Sequence, residues 1–189
     1  MGKRNNSTFF KEFFKEKSMI GSIIPSSPAL RKKMLENIDF SKSSVIVEFG
    51  PGTGVFTRQL HKKINKDSLL LVFELHKPFY ERLKQEFSEY DNIKIINDSA
   101  EKVREYLAHY EKEGADIIIS SLPLANFKKD LTTNILEAAN NSLKEKGYYI
   151  QFQYSLKSKK LLQQVFSLVS IKYVAINIPP AFVYLCQKK

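Results

Sequence analysis

From residue 44 onward the chain alternates two hydrophobic periods. Short, β-branched apolar runs recur at Val45–Phe49, Leu69–Glu74, Ile93–Ile96, Ala115–Ser120, Tyr148–Tyr154, Val169–Ile176 and Phe182–Cys186, each the length of a strand. Between them apolar residues return every three or four positions. Phe56, Leu60 and Ile64 form one such series, Phe79, Leu83 and Phe87 a second, and Leu131, Ile135, Ala138 and Ala139 a third. That spacing lays an apolar stripe along one side of a helix. Pro78 suits a helix first turn, and Gly147 suits a stop before the next strand. Strands alternating with helices predict a largely parallel sheet covered on both faces, because right-handed crossovers put a helix over each pair. The last two runs are joined by a short link holding Pro179-Pro180 and no helix, so they should pair antiparallel at the sheet edge. The expected fold class is α/β, a three-layer sandwich around seven strands.

Ahead of this body the pattern changes. Phe9, Phe10, Phe13 and Phe14 sit at i, i+1, i+4 and i+5, so a helix over 7–17 gathers all four on one side. Lys11, Glu12, Lys15 and Glu16 take the other side, and Ser7 or Thr8 supplies an N-cap. Met19 to Pro28 reads as a turn-rich connector, followed by a second helix from about Ala29 to Ile38. The organisation expected is an N-terminal unit of amphipathic helix, connector and second helix over 1–43, then a main domain over 44–189.

Composition adds limits to this picture. The 189 residues allow one compact domain with a sizeable core, and 43% hydrophobic with 26% charged residues describes a globular chain. No apolar run approaches the roughly 18 residues of a membrane-spanning helix. The lone Cys186 excludes an internal disulfide and a cysteine-based zinc site, fits a reducing compartment, and no metal centre is expected. The charged first thirty residues do not resemble a secretory signal, and Asn6 breaks a myristoylation pattern at Gly2. The net charge of +10 points to an anionic partner, nucleic acid or membrane. Its distribution says more: residues 1–40 carry +4, residues 41–143 carry −1, and residues 144–189 carry +7. A neutral middle lies between two basic ends.

The chemistry concentrates in that neutral middle. Glu48-Phe49-Gly50-Pro51-Gly52-Thr53-Gly54 follows a strand and precedes a helix, where bare glycines permit a tight turn and let a ligand lie on backbone. The dinucleotide fingerprint would need a further glycine where Val55 or Thr57 stands. Glu74 ends the next strand, 20 residues after Gly54, where a carboxylate can accept both hydroxyls of a ribose. Asp98 closes the one after that. Three carboxylates at successive strand ends would repel a pyrophosphate and suit an adenosine ligand that carries positive charge.

These positions resemble those of class I S-adenosylmethionine-dependent methyltransferases across residues 44–187, which implies a Rossmann-like sheet and S-adenosylmethionine as cofactor. By that resemblance Glu48, Gly50, Gly52 and Gly54 line the methionyl part. Glu74 binds the ribose with Leu75 beside the adenine; Asp98 accepts from the adenine amino group with Ser99 and Ala100 along the wall, and Ser120 completes the set. Adenine-amino methyltransferases carry Asn or Asp, then x-Pro, then an aromatic residue after the fourth strand. Here Ser121 and Leu124 replace the amide and the ring that would stack on a flipped base. The segment Ser120-Ser121-Leu122-Pro123-Leu124 instead resembles bacterial phospholipid N-methyltransferases, which act on phosphatidylethanolamine. So do Gly21 to Ser27, Gln151-Phe152-Gln153-Tyr154 and Pro179-Pro180-Ala181-Phe182-Val183-Tyr184, while Ser155-Leu156 stands where Gly-Pro is common.

The resemblance implies an N-methyltransferase acting on the amine headgroup of a phosphatidylethanolamine-like phospholipid. Ser121 and Tyr154 are then the catalytic candidates, and Ser26, Ser27, Pro123 and Leu124 line the approach for substrate. Burying Phe9, Phe10, Phe13 and Phe14 in an interface is worth roughly 6 kcal/mol, and Lys11 and Lys15 add about 1 kcal/mol each on anionic lipid. Lys157, Lys159 and Lys160 could meet lipid phosphates. His61 and His109 fall on outer helix faces, and His76 follows the ribose acid. The expected partners are an anionic membrane surface and an aminophospholipid, at the inner face of the membrane on the cytoplasmic side. Two other readings remain at this point. One is a relative of the rRNA adenine N6-methyltransferases, a family with a helical domain after the catalytic one, whereas this chain stops after its last strand. The other is a cofactor- or lipid-binding protein without turnover.

Overall fold

A computed structural model gives the structure of the protein over residues 26–36 and 38–189. The Phe9–Phe14 stripe with Lys11 and Lys15 lies outside the described residues. The elements run α1 (Pro28–Leu35), β1 (Val45–Phe49), α2 (Val55–His61), β2 (Leu69–Phe73), α3 (Lys77–Glu86), β3 (Ile93–Ile96), α4 (Val103–His109), β4 (Ala115–Ser120), α5 (Lys129–Ser142), β5 (Leu143–Gln153), α6 (Lys159–Val165), β6 (Ser167–Val174) and β7 (Ala181–Gln187). Single 3-10 turns occur at Phe40–Lys42, Ala100–Lys102 and Leu124–Asn126.

The seven strands form one sheet in the order β3-β2-β1-β4-β5-β7-β6. β1 to β5 are mutually parallel, and β7 runs antiparallel to both β5 and β6. Strand order reverses between β1 and β4, the switch point at which open α/β sheets bind ligands beyond the strand carboxyl ends. β1 is buried along its whole length, as a central parallel strand covered on both sides must be. One face packs Val47, Phe49, Phe73 and Tyr149 against Val103 of α4, Ile135 of α5 and Leu162 of α6. The other packs Ile46, Leu70, Val72 and Ile150 against Leu30 and Met34 of α1, Phe56 and Leu60 of α2, and Leu83 of α3. The expected layers, the seven strands and the antiparallel edge hairpin are all present.

Strand and helix ends shift by one to several residues from the sequence reading, β6 for example spanning Ser167–Val174, and three differences change the packing. α1 stops at Leu35 rather than near Ile38, its C-cap Glu36 already being extended. β5 begins at Leu143, which pairs with Ala115, and the register then jumps so that Tyr148 pairs with Ile117. Lys144 to Gly147 form the bulge, with Lys146 at φ 63°. Gly147 is therefore no helix stop. It sits inside the strand, where a Cβ would come within 2.9 Å of the Lys144 carbonyl and 3.1 Å of that of Ala115. α6 is the third difference: Leu161, Leu162, Val165 and Phe166 have helical spacing, but the preceding lysines read as a solvated run.

Candidate active site

The turn after β1 is shaped by glycines in the left-handed region: Gly50 at φ 67°, Gly52 at 55° and Gly54 at 82°. The Gly50 amide donates to the Phe73 carbonyl at 2.9 Å, binding the turn to β2, and Gly54 is the N-cap of α2. A Cβ on Gly50 would come within 2.8 Å of the Leu122 side chain, whereas one on Gly52 would meet nothing within 4 Å. The backbone at Gly52 thus faces open space beside Glu74. Next to this turn lies a partly open pocket lined by Gly50, Glu74, Leu75, Asp98, Ala100 and Leu122 among others.

Carboxylates give this region its electrostatics. Glu74, at the end of β2, accepts from the Gly52 amide at 2.9 Å and the His76 amide at 2.8 Å. Burial still pushes it up to about 7, against those amides. Glu48 is fully buried and leaves β1 on the same face as Ile46, the side covered by α2. Burial pushes its carboxyl up to about 8, with Glu74 adding repulsion. Thr57 faces it and favours its charged form, yet neither Glu48 oxygen has a partner in hydrogen-bond geometry. Asp98 is different. Burial raises it, but hydrogen bonds from Lys102 at 2.9 Å and the Ser99 amide at 2.8 Å outweigh this and hold it below its ordinary value. Tyr106 also donates to it at 3.2 Å.

These residues fit the cationic adenosyl cofactor that the sequence implied. Two buried carboxyls at the β1 and β2 ends, Glu48 without a hydrogen-bond partner and Glu74 held by two backbone amides, favour positive charge, and the open backbone at Gly52 leaves room for close approach. Glu74, Leu75, Asp98, Ala100 and Gly50 share one pocket wall. Ser99 instead caps the 3-10 turn, accepting from the Glu101 amide at 3.3 Å. Ser120 is buried at the end of β4, where its hydroxyl accepts from the Leu122 amide at 3.3 Å.

The residues that the sequence reading set near the methyl acceptor are carried by β4 and β5. The Ser121 amide donates to Phe49 at 2.9 Å, which holds the loop against β1, while its buried hydroxyl has no partner. Leu124 is buried and Pro123 half-buried. Two buried glutamines that the sequence reading gave no role fix this loop. Gln151 and Gln153 both donate through Nε2 to the Leu122 carbonyl, at 3.0 and 2.9 Å, and the Tyr149 hydroxyl orients Gln151 from 2.7 Å. Polar residues at alternate positions of an otherwise apolar strand were the available signal. Tyr154 leaves β5 on the other face, 45% exposed, its ring edge-on to Phe152 at 5.7 Å. Burial pushes its phenol up.

Ser26 and Ser27 lie ahead of α1. Ser27 caps that helix, accepting from the Leu30 amide at 3.1 Å, and its own amide donates to Asn177 at 3.0 Å. The Ser26 carbonyl accepts from Arg31 at 2.6 Å. Asn177 is a second residue the sequence reading passed over; its side chain also donates to the Pro179 carbonyl at 2.7 Å. His61 lies tilted against the Tyr90 ring at 4.2 Å and His109 is exposed at the end of α4. Lys157, Lys159 and Lys160 are exposed just past β5. Among the described residues no cluster could hold a metal ion, and no helix is long and apolar enough to cross a membrane.

Comparison with known proteins gives a concordant picture. The family described as ribosomal RNA adenine dimethylase matches residues 4–168. The ornithine lipid N-methyltransferase of Singulisphaera acidiphila is 27% identical over 180 residues, covering 95% of this chain and 94% of that protein. The ribosomal RNA small subunit methyltransferase A of Borreliella burgdorferi is 30% identical over 154 residues, 78% of this chain, and the chain spans only 50% of that relative. Among solved structures, the N-methyltransferase NodS of Bradyrhizobium japonicum in complex with S-adenosyl-L-homocysteine superposes with a TM-score of 0.69 at 13% identity, covering 86% of this chain and 88% of that one. A carboxylate-lined glycine turn at the sheet's switch point, on this fold and with these relatives, makes the chain an S-adenosylmethionine-dependent methyltransferase belonging to the ribosomal RNA adenine dimethylase family.

Proposed function

We propose that the enzyme methylates the primary amine of a membrane aminolipid, phosphatidylethanolamine or an ornithine lipid, rather than an adenine of RNA. The carrying observation is the acceptor loop. Ser121 offers one buried, unpartnered hydroxyl, and Leu124 is packed into the core where an aromatic ring would be needed to stack on a base. An apolar wall with a single hydroxyl suits a small alkyl amine. The match to an ornithine lipid enzyme over nearly the full length of both chains supports the same reading.

The bound cofactor supplies a methyl group on a cationic sulfur. The chain's own residues then have three tasks. Glu48 and Glu74 balance positive charge once ionised, Gly52 allows close backbone approach, and Ser121 accepts a hydrogen bond from the substrate nitrogen. The ammonium must lose a proton before attack, and an apolar surround lowers its pKa. Tyr154, its phenol held protonated, serves as a donor at the rim. Positioning supplies the remainder of the rate. The Phe9–Phe14 stripe with Lys11 and Lys15, together with Lys157, Lys159 and Lys160, is assigned to contact with the inner face of the membrane, with Ser26, Ser27, Pro123 and Leu124 along the substrate's approach.

The test is mass spectrometry of lipids from cells expressing the protein, with labelled cofactor and purified enzyme as the second arm. Mono-, di- or trimethylated aminolipid is expected. Label entering RNA and no lipid would overturn the reading in favour of adenine methylation, which the family match and the basic charge would then explain.

A further inference from the structure

β6 runs parallel to β5, because β7 is antiparallel to both, so the β6–β7 turn projects from the same sheet edge as the acceptor loop. That turn displays apolar side chains. Ile176 is 81% exposed and Ile178 77%. Between them Asn177 points inward, nearly fully buried, tied to the Ser27 amide and the Pro179 carbonyl. The anchor fixes the turn with both isoleucines outward, at positions where turns ordinarily carry polar residues. Six large apolar side chains are exposed among the described residues, and five stand on this edge: Tyr154, Leu156, Tyr173, Ile176 and Ile178. The charged residues that follow β5 at this end of the sheet, Lys157, Lys159 and Lys160, are all basic and exposed.

We propose that the β6–β7 turn is a lipid-inserting tip, with Ile176 and Ile178 entering the interfacial layer of an anionic bilayer beside the acceptor loop. The inference rests on the aminolipid reading and adds to it the element that orients the site toward headgroups. Apolar side chains inside a basic rim match a surface of anionic headgroups over acyl chains, whereas RNA would match the lysines and leave the isoleucines in water.

The sequence has no tryptophan, so Ile176→Trp in the full chain is a unique reporter. The probe is vesicles of phosphatidylcholine and phosphatidylglycerol in equal parts, with phosphatidylcholine alone as comparison. On the mixed vesicles the emission is expected to shift to the blue and to be quenched by brominated acyl chains. The paired change Ile176→Ser with Ile178→Ser should weaken vesicle binding roughly 10- to 50-fold with an unchanged thermal transition, both side chains being exposed. Unshifted emission from vesicle-bound protein overturns the proposal, as does equal binding by the serine variant or no binding by the wild-type chain. A shift that grows with protein concentration alone assigns the tip to a second copy, and a shift on RNA alone assigns it to nucleic acid; either overturns it. The lipid-methylation assay is read separately. Methylated lipid with a silent reporter removes the tip and leaves the aminolipid function, whereas a responding reporter without methylated lipid removes that function and leaves the lipid-contacting tip.

Discussion

Burial pushes the Glu48 carboxyl up to about 8, so at pH 7 the protein without cofactor holds this group largely protonated. In the unfolded chain the same group titrates near its ordinary 4.5. Below that value both states carry the proton and the group has no effect. Between about 4.5 and 8 the folded state binds more protons, so its contribution to stability falls as pH rises and levels off above 8. Glu48→Gln removes this dependence. It should stabilise the cofactor-free protein at pH 8 by on the order of 2 kcal/mol in urea unfolding, and a variant less stable than wild type there would sink the argument. The cofactor's positive charge reverses the preference. Binding should release protons from Glu48 and from Glu74, which sits at about 7, so cofactor affinity should rise between pH 6 and 8. Calorimetry in buffers of different ionisation heat reads that release directly, and no buffer dependence would contradict it. Gly52 is tested more simply. Its φ of 55° makes Gly52→Ala cost about 1 kcal/mol, and the added methyl meets no protein atom within 4 Å. A folded variant with cofactor affinity down tenfold or more is expected.

The elements that hold the acceptor loop carry a second kind of prediction. Gln151 links the Tyr149 hydroxyl to the Leu122 carbonyl, all of it buried. Gln151→Leu takes the acceptor from the Tyr149 hydroxyl and one of two donors from the Leu122 carbonyl, which should cost about 1–3 kcal/mol of stability. Gln153 still holds the Leu122 carbonyl, so the loop should loosen rather than collapse. Methyl transfer should fall with cofactor affinity unchanged, separable by calorimetry and single-turnover rates. None of this clamp was visible beforehand, although the surrounding strand was. β5 announces itself by Tyr148, Tyr149, Ile150 and Phe152, but which carbonyl its glutamines reach depends on the β4–β5 register, and that register is offset by the bulge at Lys144–Gly147. The placement of the pocket acids was legible for the opposite reason. Glu74 and Asp98 follow strands whose ends are marked in the sequence, and a parallel sheet aligns those ends without further information. Asn177 and α6 were hidden by their neighbours, a proline-rich link and a lysine run.

At the scale of the molecule, charge and apolar display separate into layers. The switch-point pocket holds the Glu74 and Asp98 carboxyls, while Lys157, Lys159 and Lys160 are exposed past β5 at the same sheet end as the exposed Ile176 and Ile178. The two contributions to membrane binding respond differently to salt. Interactions between exposed charges are screened as the Debye length falls from about 10 Å at 0.1 M salt to about 3 Å at 1 M, and apolar insertion is not. Wild-type binding to anionic vesicles should therefore weaken with salt toward a residual plateau. Replacing Lys157, Lys159 and Lys160 by Gln should lower affinity at low salt by up to about 100-fold, at about 1 kcal/mol per lysine near the surface. The same variant should match wild type at high salt, and it should bind cofactor equally well, because none of the three lines the cofactor pocket. Equal salt curves for variant and wild type would show that these lysines do not face the membrane. Affinity that vanishes at high salt in both would remove the apolar contribution and leave a purely electrostatic surface, such as RNA requires.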